Sequence, residues 1–244
     1  PAVGMGVNFV LHAVQTCHQQ RCIAEVGIAG GIGIADLEAS HIGGLGRLGC
    51  TESEVYFAAA EHSHKLQPTA ESAAGCAQMC IKKNDMNGAL EYYKQALSLV
   101  TDNEDKADYL YRMANVYVAL KNYQQGAAVA QQALDVNAED GRCYLLLGIC
   151  YASAKIYDDP ILARSVFWVA CDMFRKAKSV DSSCATDANK LIATYSQYFP
   201  SKEDVFFHRD LNEGAPFRVG GWVNKTTTCR IKNNISYCSR KSNS

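Results

Sequence analysis

The stretch that most constrains this chain is Tyr144-Leu145-Leu146-Leu147-Gly148-Ile149-Cys150-Tyr151. On a helix, residues three and four apart share a face, so Tyr144, Leu147, Gly148 and Tyr151 form one stripe. A glycine set among bulky residues on that stripe makes a notch, where a second helix can approach closely. The rest of the chain must supply that helix, and the spacing predicts that Gly148 packs against Ala170.

The same grammar recurs from Thr51 onward. Thr51 to Leu66 reads as a helix carrying Tyr56, Ala60 and Ser63 on one side, stopped by Pro68. Ala70 to Lys83 sets Ala73, Cys76, Ala77 and Cys80 in the stripe spacing. After the polar turn Asn84-Asp85-Met86-Asn87, Gly88 to Val100 answers with Ala89, Tyr93 and Ala96. Lys106 to Leu120 carries Leu110, Met113, Ala114 and Tyr117, then Lys121-Asn122-Tyr123 leads into Gln124 to Val136 with Gly126, Ala130 and Ala133. Ala130 stands where the other second helices have an aromatic. The helix answering Tyr144 to Tyr151 carries Ala170, Phe174 and Ala177; it reads as Ile161 to Val180, longer than the others, with Pro160 in its first turn. The loop Lys155-Ile156-Tyr157-Asp158-Asp159-Pro160 holds an insertion of roughly ten residues relative to a repeat of about 34. Ala185 to Tyr198, with Ala188, Leu191, Ile192 and Tyr195 on its apolar face, reads as a cap.

Past Pro200 the period becomes alternating. Phe217 to Val223 and Thr226 to Lys232, flanking Asn224-Lys225, predict a short β-hairpin that packs, with Phe206 and Phe207, on the capping helix. The other reading is an edge that recruits a partner strand. Residues 1–50 differ in composition, holding 10 of the 18 glycines and no lysine. Val7 to Val14 reads as a short strand or buried helix and Ala35 to Ile42 as a short helix. The expected organisation is thus a glycine-rich segment (1–50), an all-α array with its cap (51–200) and a tail with a hairpin (201–244).

These residues resemble tetratricopeptide repeats, whose first-helix pattern Tyr144, Leu147, Gly148 and Tyr151 matches except that Tyr144 stands in place of Trp. The segments Val166 to Ala170, Lys176 to Asp181, Ile192 to Tyr195, Tyr198 to Glu203 and Val219 to Val223 with Thr226 to Thr228 look like a narrower group, exported repeat proteins of Bacteroidota with a Gly-Trp/Thr-rich tail. The likeness covers about residues 51–232. It implies a TPR-like α-solenoid, a periplasmic or outer-membrane-associated location with a cytoplasmic one as alternative, and a binding role without catalytic residues.

Composition narrows the function classes. With 24 Lys and Arg against 25 Asp and Glu, the formal charge is -1, so bulk attraction to nucleic acid is not expected. No run approaches the roughly 18 apolar residues of a transmembrane helix, and no basic cluster precedes Val7 to Val14 as a signal peptide requires. The 11 cysteines are an odd number without close pairing, and most read as small core residues rather than a disulfide framework.

Stacked helix pairs bind partners along the wall made by their first helices. The faces flanking the stripe place Gln78 and Lys82, then Asp108, Tyr111 and Asn115, then Arg142, Leu145 and Ile149 on it. Tyrosine offers area with a polar tip, asparagine can bond a backbone in both senses, and arginine grips a carboxylate bidentately. Tyr111 and Leu145 stand where a clamp for a C-terminal carboxylate would need basic residues. The expected partner is a protein or peptide, held without cofactor.

Other chemistry is weaker. Gly27 to Gly33 lacks the third glycine of a dinucleotide loop, which would fall at Asp36. Cys17, His18 and Cys22 lack a fourth ligand for zinc. His62 and His64 point to different faces of one helix. Cys171 with Asp172, and His208 with Asp210, have no orienting third group near in sequence. Asn224-Lys225-Thr226 and Asn234-Ile235-Ser236 fit the N-glycosylation pattern, which acts only in a eukaryotic secretory route. The reading is a non-catalytic binding scaffold; the alternative is a structural subunit docked permanently in a larger assembly.

Overall fold

A computed structural model of the chain describes residues 54–232. The expectations for residues 1–50, including the glycine loop and Cys17, His18 and Cys22, lie outside the described residues, as does the Asn234 acceptor. The described part is all-α with a small C-terminal hairpin, and it divides into two compact units whose boundary falls between Tyr109 and Leu110.

The first unit contains α1 (Glu54–Leu66), α2 (Ala70–Lys82), α3 (Met86–Leu99) and the start of α4 (Asn103–Ala119). Thr69 opens α2 with a capping box: the Ser72 amide donates to Thr69 Oγ1 at 3.1 Å and the Thr69 amide donates to Ser72 Oγ at 2.9 Å. Each bond satisfies an amide that the helix itself leaves unpaired. The small stripe of α2 is fully used, with Ala73, Cys76, Ala77 and Cys80 all buried. Helix α1 has a partner in α2, through a cluster of Phe57, Ala60 and Cys76 with Met79 and Tyr92 against it. His64 of α1 ties the three helices together, within 3.1 Å of both Ser72 Oγ and Gln95 Oε1 and edge-on to Tyr92.

Helix α3 starts two residues earlier than its spacing suggests, because Asp85 caps it by accepting from the Gly88 amide at 2.9 Å. Helix α4 likewise starts at Asn103, where Asp102 accepts from the Glu104 and Asp105 amides.

The second unit holds the rest of α4, α5 (Tyr123–Val136), α6 (Gly141–Ala152), α7 (Val166–Val180), α8 (Ala185–Tyr195), α9 (Lys202–Phe207), β1 (Pro216–Val219) and β2 (Lys225–Thr228). Between α4 and α5, Lys121 takes a left-handed φ of 59° and the Asn122 amide reaches back to Tyr117 O at 2.9 Å. That is a Schellman ending, and Asn122 then caps α5. The core of this unit gathers Trp168, Ala170, Cys171 and Phe174 of α7 with Ala188, Phe199, Val205, Leu211 and Cys229.

Five expectations change. The helix answering Gly148 begins at Val166 after a 3₁₀ turn, Leu162–Ser165, and its 15 residues are fewer than the 17 of α4. Asp159 caps that 3₁₀ turn, accepting from the Ile161 and Leu162 amides at 2.8 Å, so Pro160 occupies a position with no amide to satisfy. The notch at Gly148 is filled by the Phe174 ring: a Cβ there would lie 2.7 Å from Phe174 Cδ1, with Cε1 nearer still, and no Ala170 atom is as close. The strands are four residues long and pair Pro216 with Thr228 through Val219 with Lys225. Trp222 and Val223 therefore belong to the loop, where Gly221 and Asn224 have φ of 57° and 41°.

The hairpin docks on α7, not on the capping helix. Asp172 accepts from Thr227 Oγ1 at 2.5 Å and from Arg230 Nη2 at 2.6 Å, and Trp168 Nε1 donates to Arg230 O at 2.8 Å. Phe217 meets Trp168 edge-on at 5.7 Å. Lastly, Phe206 and Phe207 do not pack inward; they end α9 at 79% and 82% exposure, against each other.

Candidate partner-binding surface

In the first unit Gln78 and Asp108 are half-buried and Lys82 is exposed. The Lys82 ammonium lies 5.1 Å from the centre of the Phe57 ring, a contact worth about 0.5–1 kcal/mol at an exposed site.

In the second unit the structure brings two of the candidates into contact. Asp140 caps α6, its Oδ1 accepting from the Arg142 amide at 3.0 Å. The same carboxylate holds the Arg142 side chain, through Nε to Oδ1 at 3.0 Å and Nη2 to Oδ2 at 2.8 Å. Asp140 is 8% exposed, so this fork-to-carboxylate pair is fixed on one side by burial and by the helix start. The guanidinium then lies over Tyr111 of α4, 4.5 Å from the ring centre. A flat cation held at its edge and stacked on an aromatic face keeps one geometry, while the Arg142 side chain stays 48% exposed.

Asn115, one turn along from Tyr111, uses its Nδ2 to donate to Tyr111 O at 2.9 Å. Leu145 and Ile149 are half-buried and lean on the α7 core cluster, so much of their area is spent on packing. Asp140 was missed in the sequence reading, although an aspartate just before an apolar helical run is the usual N-cap signal.

The residues considered for catalysis serve other ends. Cys171 is buried among the α7 core, and burial pushes its thiol up to about 11. Asp172, beside it, is the anchor of the hairpin. Burial likewise lifts Cys76 and Cys150 to about 12, which leaves negligible thiolate at neutral pH. Cys76, Cys80, Cys143, Cys150, Cys171, Cys184 and Cys229 are all buried and form no disulfide, as small core residues would. His208 faces Asp159, 3.5 Å away, and its Nδ1 accepts from the Asp210 amide at 3.3 Å, so it joins the tail to the inserted loop. Among the described residues no group of three His, Cys, Asp or Glu side chains is placed to hold a metal, and no helix is long and apolar enough to cross a membrane.

No family model matches the chain. A 76-residue stretch, 31% of the chain, is 41% identical to protein unc-45 homolog B of Xenopus laevis, of whose length it spans 8%. Among solved structures, YrrB, described as a TPR protein with an unusual peptide-binding site, aligns over 67% of this chain and 84% of its own length, at 17% identity and a TM-score of 0.44. The helix-pair fold rests on the capping and packing above, to which these partial likenesses are secondary.

Proposed function

We propose that the chain is a non-catalytic scaffold that binds a protein or peptide partner on the exposed faces of its first helices. The observation that carries this is the Asp140–Arg142–Tyr111 arrangement, in which a half-exposed guanidinium is held rigid before any partner arrives. Little side-chain freedom remains to be lost on binding, and arginine and tyrosine are the residue types that dominate interface energies. The charge and planarity of the pair suit an acidic or aromatic side chain on an extended segment.

The test is a titration of the partner that co-purifies from the native host against the Tyr111→Ala, Arg142→Ala double variant. A weakening of about tenfold or more is expected, since truncating a central anchor costs at least about 1–2 kcal/mol. Unchanged affinity with an intact helical spectrum would remove the first-helix surface from the mechanism. Because Arg142→Ala also leaves Asp140 without its guanidinium, Tyr111→Ala alone serves as the variant that spares the cap.

A second reading, a subunit docked permanently in a larger assembly, draws support from Phe206 and Phe207, whose apolar area the described residues leave uncovered. Replacing both by serine separates the readings: improved monodispersity with partner titration unchanged favours the scaffold, and loss of a native complex favours the subunit. The resemblance of the tail supports a bacterial-envelope setting, which fractionation of the native host checks.

A further inference from the structure

Four aromatic rings run in a ladder from the core of the second unit to its surface. Phe174, fully buried, stacks on Tyr195 at 5.6 Å; Tyr195 stacks on Phe167 at 5.9 Å; Phe167 meets Tyr198 at 5.2 Å. Tyr198 is 54% exposed, so the ladder ends with an uncovered ring. That ring borders a cleft of about 350 Å³ lined also by Phe167, Arg164, Gln197 and Lys232. Its size is at the small end of ligand sites, enough for one or two residues of a peptide.

The charges at this cleft are Arg164, Lys232 and Asp204. Arg164 gives Nη1 to Asp204 Oδ2 at 3.1 Å, and its Nε and Nη2 have no partner among the described residues. Lys232 is exposed, is fixed at the rim by its amide bond to Pro200 O at 2.8 Å, and its ammonium meets no acidic group among the described residues. The lining thus holds two cations and no carboxylate, Asp204 standing outside it as the partner of Arg164, which leaves the cleft positive beside an open aromatic face.

We propose that this cleft is a second binding site, separate from the first-helix surface, for a peptide segment that carries an aromatic side chain next to an acidic one. The aromatic ring extends the ladder beyond Tyr198, where offset stacking adds to the area buried. The acidic side chain takes the Lys232 ammonium and the remaining edge of the Arg164 fork, which is shaped for a carboxylate. The ladder is pre-formed, so the site needs little ordering on binding. The segment after Lys232 carries Arg240 and Lys241 and no acidic residue, so its charge does not match the cleft.

The probe is the blocked peptide acetyl-Gly-Ser-Glu-Phe-Glu-Ser-Gly-amide, titrated by calorimetry against the full chain. Lys232→Glu and Tyr198→Ala are each expected to weaken binding about tenfold, through lost charge complementarity and lost stacking respectively. Replacing both glutamates of the probe by glutamine should do the same. Tyr198 and Lys232 are exposed, so neither substitution threatens the fold. The titrations are run in the Tyr111→Ala background, so that any share of the probe taken by the first-helix surface is weakened and the cleft is read separately. Equal affinity for Lys232→Glu, or for the glutamine probe, overturns the proposal. So does a chain ending at Lys232 that binds the probe when the full chain does not, since the cleft would then be the seat of the chain's own tail.

Discussion

In the helix pair α2–α3 the small residue on the first-helix stripe is Ala77 and the ring on the second helix is Tyr93; in the pair α6–α7 these places belong to Gly148 and Phe174. All four are buried, Ala77 and Phe174 completely and Tyr93 at 1% exposure. The rest of the stripe differs in volume. Ala73, Cys76 and Cys80 surround Ala77, whereas Tyr144, Leu147 and Tyr151 surround Gly148. A core holds a fixed volume. Where the first helix is built of small side chains an alanine leaves room for the ring, and where it is built of large ones only glycine does. The connections differ too. Helices α2 and α3 are joined through Asn84 in a left-handed turn, while residues 153–165 join α6 to α7 and hold the tail.

The sharpest way to break this comparison is to put volume into the notch. Gly148→Leu should cost at least about 3 kcal/mol, at the top of the overpacking range, because the buried Phe174 ring has nowhere to move. Gly148→Ala should still cost about 1–3 kcal/mol, although alanine is the better helix former by about 1 kcal/mol. Ala77→Gly runs the other way, losing about 1 kcal/mol of helix propensity. Denaturant unfolding followed by circular dichroism measures all three, and pairing Gly148→Ala with Phe174→Leu should recover part of the loss. A stabilising Gly148→Ala would mean that the ring does not fill the notch.

How much of this was legible follows from the same residues. Periodicity located the helices because burial repeats every 3.6 residues, and the Asn84 and Lys121 turns stood out as polar breaks between two such runs. The stripe names Ala170 opposite Gly148 and does not show that the Phe174 ring comes nearest, because it tells that two helices approach and not their offset along the axis. Alternation ran the first strand on through Trp222 and Val223, although the Gly220-Gly221 pair within it signalled a turn. Phe206 and Phe207 show the limit of reading apolar residues as core: their chemistry states a preference for burial and names no partner. Helix α9 is absent from the sequence reading, which takes the chain past Pro200 as alternating, although Ser201 and Asp204 carry the capping-box signal and have both its bonds in place. On the binding surface, Tyr111 and Arg142 are legible on one wall and Asp140 as an N-cap signal two residues before Arg142, while the stacking of Arg142 on Tyr111 and the aromatic ladder join side chains of different helices.

The long connection of the last pair gives the next largest effect. Ile156 packs on Gly221, and the Gly220 amide donates to Tyr157 Oη at 2.8 Å, so the insertion grips the hairpin loop while Asp172 grips its strand. Asp172→Ala should cost about 1.5–3 kcal/mol, as it leaves Arg230 and Thr227 without an ionic partner. Tyr157→Phe should cost about 1–2 kcal/mol, since Tyr157 Oη both accepts from the Gly220 amide and donates, at 3.4 Å, to Arg218 O. Both should expose Trp168, whose indole donates to Arg230 O, so a red shift of its emission reports detachment of the tail. If stability falls without that shift, the hairpin is not what these residues hold.

The smallest effects lie in the short turns, and they separate two residues in one backbone conformation. Lys121 has φ of 59° and Asn84 of 61°, both in the left-handed region. A lysine there carries a strain of roughly 1–2 kcal/mol from its Cβ, whereas asparagine tolerates the region. Glycine removes the strain but frees the unfolded chain, which costs about 0.4–1 kcal/mol. Lys121→Gly should therefore stabilise by about 0.5 kcal/mol, and Asn84→Gly should be neutral or slightly destabilising. Thermal melts of the two variants decide the point. A gain at Asn84 equal to that at Lys121 would show that the turns differ in more than the side chain they carry, since φ agrees within 2° and the Schellman hydrogen bonds are matched in both.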